Sequence, residues 1–103
     1  MDITVTALYE RLQNTSKIAW IDVRSLNDFF DKRPDSPFIK NLPLDQLNTL
    51  DLPKDQHLFV SCLSGRRSQA AKDILIARGY THVFNVTGGY LAWQEAGFPV
   101  TKK

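Results

Sequence analysis

LFVSCLSGRRSQAAKDILIAR, running from Leu58 to Arg78, is the stretch on which the fold turns. Leu58–Cys62 has four apolar residues in five and is too short for a buried helix, so it reads as a buried strand ending on the cysteine. Arg67–Arg78 then sets Ala70, Ala71, Ile74, Leu75 and Ala77 along one helical stripe. Gly79 follows where a helix C-terminus favours a left-handed residue. Strand, short glycine-bearing loop and helix together make half of a βαβ unit.

The flanking sequence repeats this alternation. On the N-terminal side, Thr4 or Thr6 can cap a helix through about Asn14, with Val5, Leu8 and Leu12 on one face. Ile18–Val23 reads as a second buried strand, and Ser25 caps a short helix over Leu26–Asp31. Lys32–Lys40, with two prolines, reads as a loop. A brief strand is expected in Phe38–Leu42 and one or two helical turns between Pro43 and Leu50. Beyond Gly79, His82–Val86 is a strand, Gly88-Gly89 a turn, and Tyr90–Ala96 a short helix closed by Gly97. Short apolar strands without clean alternation, separated by helices, point to an α/β fold with a parallel sheet covered on both faces. In such sheets ligands bind beyond the carboxyl ends of the strands. Cys62 stands at one of those ends.

The chain has 103 residues, 43% hydrophobic and 23% charged, with a formal charge of +2 and one cysteine. That length fits one domain, with a core over about residues 3–100. The small net charge, with no basic stripe, argues against nucleic acid as a partner. The adjacent Lys102 and Lys103 read as a solvated tail. One cysteine excludes an internal disulfide and a multi-cysteine metal site, so neither metal nor cofactor is expected. No export signal or bilayer-spanning run is visible, which gives the expectation of a cytoplasmic protein without a membrane partner.

Cys62-Leu63-Ser64-Gly65-Arg66-Arg67-Ser68 carries the chemistry. Gly65 lets a tight loop adopt a backbone conformation other residues resist. Successive N–H groups can then converge into an anion-binding nest, backed by the unpaired amides and dipole of the next helix. A thiol held there is expected to ionise below its ordinary value, helped by the guanidinium groups of Arg66 and Arg67. Thiolate is the attacking form. A lone cysteine at a strand end is more often a small buried hydrophobe; the glycine and two arginines beside it are what tilt the reading towards chemistry.

The same seven residues resemble the active-site loop of rhodanese-like domains, in which a cysteine is followed three residues later by glycine and then by a basic or hydroxyl residue. Ile21-Asp22-Val23-Arg24-Ser25 resembles that family's Asp-Val-Arg segment. Val86-Thr87-Gly88-Gly89-Tyr90-Leu91-Ala92-Trp93, running on to Gly97-Phe98-Pro99-Val100, resembles its C-terminal signature. The resemblance implies a three-layer fold with a mainly parallel five-stranded sheet. It also implies a sulfurtransferase in which Cys62 takes sulfur from a small anionic donor such as thiosulfate and passes it to a thiol, cyanide or a protein acceptor. Leu63, Ser64, Gly65, Arg66, Arg67 and Ser68 would cradle the persulfide, with Arg67 pointing inward, and Asp22 and Arg24 would anchor the loop. One departure stands out: 33–41 lacks the His-Ile-x-Gly-Ala segment usual in the family.

Two other functions compete. A phosphatase or arsenate reductase can share this fold, but tyrosine phosphatases place arginine six positions after the cysteine, and here that position is Ser68. A non-catalytic binding module is the second, and the presence of Cys62 counts against it. His57 and His82 lie at the edges of strands, match no metal spacing and read as solvated loop histidines. Trp20 and Trp93 read as packing, with Trp93 a candidate for the pocket rim.

Overall fold

The computed structural model describes residues 1–14 and 17–103. In chain order the elements are β1 (Asp2–Ile3), α1 (Val5–Asn14), β2 (Ala19–Asp22), α2 (Leu26–Asp31), β3 (Lys32–Pro34), β4 (Ile39–Asn41), a 3-10 helix (Leu44–Thr49), β5 (His57–Ser61), α3 (Arg66–Ala77), β6 (His82–Val86), α4 (Gly89–Glu95) and β7 (Val100–Lys102). Five strands form one parallel sheet in the order β1-β6-β5-β2-β4. This is the α/β architecture the alternation implies.

β5 is the central strand, and its side chains alternate between two separate apolar layers. Leu58 and Val60 point into a core shared with Ile21, Leu47, Ala71, Leu75 and Val83, covered by α3 and the 3-10 helix. Phe59 points the other way, towards Val5, Leu8, Trp20, Phe29 and Trp93, under α1, α2 and α4. Burial on both faces is why the strand reads as an unbroken apolar run rather than an alternating one.

Several ends follow the expected local chemistry. Thr4 Oγ1 accepts from the Ala7 amide at 3.1 Å and caps α1. Ser25 Oγ accepts from the Asp28 amide at 3.2 Å and caps α2. Gly79, with φ of 98°, ends α3.

Other expectations are corrected. The stripe on α3 is narrower than its apolar count suggests: Ser68, Ala71 and Leu75 are buried, while Ile74 and Ile76 face outward. The stretch from Lys32 is not all loop, because Lys32–Pro34 pairs antiparallel with Val100–Lys102. Lys102 is therefore paired to Lys32 rather than free in a tail, and the Lys103 amide donates to the Asp31 carbonyl at 2.7 Å. β1 is only two residues long, too short to carry a periodic signal, and joins the sheet edge beside β6. His57 and His82 open neighbouring strands as register partners, with stacked rings 4.5 Å apart, and are not loop residues. Among the described residues no helix is long and apolar enough to cross a membrane.

Candidate active site

Cys62 follows β5 directly, at the carboxyl edge of the sheet, and Gly65 opens α3 with φ of 94°. That left-handed conformation turns the chain sharply enough for its own amide to face back onto the sulfur. The Gly65 N–H donates to Sγ at 3.1 Å and the Ser68 N–H at 3.4 Å. The Ser68 hydroxyl lies 3.4 Å from Sγ. The nest expected from the loop is present, with Sγ at its centre.

The thiol is 2% exposed and shares the β5/α3 core layer with Val60 and Ala71. Burial pushes its ionisation up. Hydrogen bonds from the Ser68 side chain and from the amides of Ser68, Gly65 and Ser64 outweigh that and hold the thiol below its ordinary value. The source of the effect thus differs from the sequence expectation: the contacts that lower it are hydrogen bonds within the loop, whereas Arg66 and Arg67 are exposed.

Cys62 forms the floor of an open cavity of about 620 Å³. Leu63, Ser64, Arg66 and Arg67 line one part of it, and Arg24, Asp28, Asp31 and Lys32 the rest. Both arginines reach the cavity, so Arg67 is not singled out over Arg66. Ser68 is fully buried and meets the sulfur from below. Trp93 lies in the α1/α4 core layer and donates its indole N–H to the Pro99 carbonyl, away from the cavity.

Asp22 and Arg24 form a buried ion pair, 0% and 2% exposed. Arg24 donates from its backbone N–H and from Nε and Nη2 to the Asp22 carboxylate at 2.8–3.1 Å, and from Nη2 to the Lys32 carbonyl at 2.7 Å. The guanidinium also lies over the Tyr90 ring, 5.4 Å from its centroid. Tyr90 closes the circuit, because its amide donates to the Cys62 carbonyl at 2.9 Å, and the Leu91 amide donates to the Leu63 carbonyl at 3.0 Å. The first turn of α4 therefore satisfies its unpaired N–H groups on the carbonyls of the cysteine loop.

That contact explains Gly89, which the sequence presents only as part of a turn. A Cβ on Gly89 would fall on the Cys62 carbonyl oxygen and 2.9 Å from the Leu63 carbonyl carbon. Asn85 is a second residue of the site that the loop motif does not reveal. It is 7% exposed on β6, and it donates from Nδ2 to the Gly65 carbonyl at 3.2 Å and to Gln69 Oε1 at 3.3 Å. The signal for it was a polar side chain within the apolar run of β6. Among the described residues no group of three or more histidine, cysteine and carboxylate side chains gathers to hold a metal.

Comparison with known proteins bears on the family and the fold. The family model for the rhodanese-like domain matches residues 4–96. A sulfurtransferase from Allochromatium vinosum is 28% identical over 96% of this chain and 92% of its own. The thiosulfate sulfurtransferase GlpE from Actinobacillus succinogenes is 31% identical over 96% of this chain and 88% of its own. The crystal structure of a rhodanese-related protein from Thermoplasma volcanium superposes with a TM-score of 0.82 at 28% identity, covering 99% of this chain and 98% of that one. With a five-stranded parallel sheet, a cysteine loop at its carboxyl edge and a family match over nearly the whole length, the chain belongs to the rhodanese-like domain family.

Proposed function

We propose that the protein is a sulfurtransferase that carries sulfur on Cys62 as a persulfide. The observation that supports this reading best is the set of N–H donors converging on Sγ at the floor of an open cavity. The thiolate attacks the sulfane sulfur of a donor, for which thiosulfate serves as the example. A new S–S bond forms on Cys62, the donor's own S–S bond breaks, and sulfite leaves with the electron pair. An acceptor thiolate or cyanide then attacks the outer sulfur and releases Cys62 as thiolate. While loaded, the anionic outer sulfur lies near the loop amides and the positive end of α3. Arg66 and Arg67 draw an anionic donor into the cavity, while Asp28 and Asp31 on its other wall oppose highly charged anions. A working thiol of this kind suits a reducing compartment such as the cytoplasm.

A phosphatase reading has less support. The residue six positions after the cysteine is a buried serine whose hydroxyl lies at the sulfur, so no guanidinium reaches the nest from that position to clamp a tetrahedral phosphate.

Intact-mass measurement tests the reading. Incubation with thiosulfate or another sulfane donor is expected to add one sulfur, about 32 Da, removable by a thiol reductant and absent in Cys62→Ser. No adduct from any sulfane donor would leave a binding module as the better description. Separately, the rate of alkylation by iodoacetamide is expected to rise with pH to a midpoint below about 8.5, the value for an unperturbed thiol. A midpoint above that value would remove the role given to the loop amides.

A further inference from the structure

Asn85 is a buried amide on a different strand from the cysteine loop, and its side chain makes hydrogen bonds to Gly65 in that loop and to Ser68 and Gln69 in the first turn of α3. Its orientation is fixed by what it meets. The Gly65 carbonyl can only accept, so the NH2 group must face it, and the amide oxygen must then face Ser68. Oδ1 has no proton to give, so the Ser68 hydroxyl donates its single proton to Oδ1. It follows that Ser68 Oγ presents a lone pair, not a proton, to Cys62 Sγ at 3.4 Å. That arrangement suits a protonated thiol, whose S–H can donate to Oγ and complete a chain of donors from sulfur to Asn85.

A thiolate reverses the preference. A hydrogen bond to a charged acceptor is roughly twice as strong as one between neutral groups, so the hydroxyl gains by turning to sulfur and leaving Asn85. Once Cys62 carries an outer sulfur, the charge moves outward and Sγ becomes a poor acceptor, so the hydroxyl turns back. We propose that Asn85 is a positioning residue for the sulfur chemistry. By fixing the resting direction of the Ser68 hydroxyl it makes that group a two-position donor, on Asn85 while Cys62 is protonated or sulfur-loaded and on Sγ while Cys62 is a thiolate. The consequence is a restrained thiolate: Asn85 competes for the proton that would otherwise stabilise it fully. Because the nucleophilicity of a thiolate falls as it becomes easier to form, that restraint keeps the sulfur reactive. The purpose rests on the sulfur-transfer reading; the test does not.

Asn85→Leu keeps the branched shape and volume but removes the acceptor. The midpoint of iodoacetamide alkylation against pH is expected to move downward by roughly 0.5–1 pH unit, the equivalent of one neutral hydrogen bond no longer competing. Ser68→Ala is expected to move it upward, and adding Asn85→Leu to Ser68→Ala to change it no further. A structural role alone would not make the effect of one residue vanish with the hydroxyl of the other. A midpoint unmoved or raised in folded Asn85→Leu, or the same downward movement with Ser68 already gone, would overturn the proposal. If the leucine does not fold, Asn85→Ala gives the same reading. Alkylation needs no sulfur donor, so failure of sulfur transfer and failure of this proposal are seen separately.

Discussion

Asp22→Ala is expected to destabilise the fold by about 3–5 kcal/mol, the cost typical of leaving one buried charge without its partner. Arg24 makes three hydrogen bonds from its side chain to the Asp22 carboxylate and one to the Lys32 carbonyl, and both members of the pair are almost fully buried. Without Asp22 the guanidinium must either stay buried and uncompensated or swing out through the cavity wall, dragging β3 from its place. For a domain of this size, whose whole stability is on the order of 5–15 kcal/mol, that approaches unfolding. Urea denaturation is the measurement, and a loss below about 1 kcal/mol would mean the pair is far better solvated than its burial indicates. Replacing both members together, Asp22→Leu with Arg24→Met, should recover much of the loss, because an apolar pair leaves no charge stranded. The double variant would also show whether Arg24 matters to substrate apart from its structural work.

Gly89→Ala should strike the site more sharply than the fold. Gly89 has φ of 55°, where a side chain costs roughly 1–2 kcal/mol. The added carbon also meets backbone, the carbonyls of Cys62 and Leu63, which cannot rotate aside as a flexible side chain would. Either α4 or the cysteine loop must move, and the hydrogen bonds from Tyr90 and Leu91 transmit the movement to the nest. A displacement of about 1 Å at a reacting group can cost on the order of 100-fold in rate, and a loss of that size is expected in sulfur loading followed by mass spectrometry. Gly97→Ala is the control: its φ is 81° but nothing lies within 4 Å of the added carbon, so the conformational cost should appear without the loss of rate. Equal rates in the two variants would show that α4 does not hold the loop.

The sequence displays the parts of this molecule that depend on neighbours along the chain and hides those that depend on approach in space. Leu58–Cys62 and the helix after it are legible because burial on both faces leaves a short apolar run and a capped amphipathic stripe. Ser25 and Gly79 announce helix ends through their own backbone chemistry. Asp22 and Arg24 are near enough in sequence, and polar enough at a strand end, to be suspected as a pair. Asn85 shows in the sequence only as one polar residue within the apolar run of β6; its partners lie 16 to 20 positions away, so nothing beside it in the chain says what it meets. Gly89 reads in the sequence only as part of a turn, because the carbonyls it makes room for belong to a different loop. In the sequence Asp28 and Asp31 are simply part of a short helix, and it is the fold that brings α2 to the cavity wall. β1 and β7 leave no sequence signal for another reason: strands of two and three residues acquire their conformation from the edge they join.

The way β5 sends Leu58 and Val60 to one apolar layer and Phe59 to the other has a mechanical outcome. Neither layer can melt while the other survives, because the same few residues are the common wall of both. Fraying can begin at the short outer strands, but once the middle yields there is no half-molecule left to shelter the sulfur. The reactive atom sits one residue past that common wall, so the integrity of its surroundings and the integrity of the whole are lost in a single event.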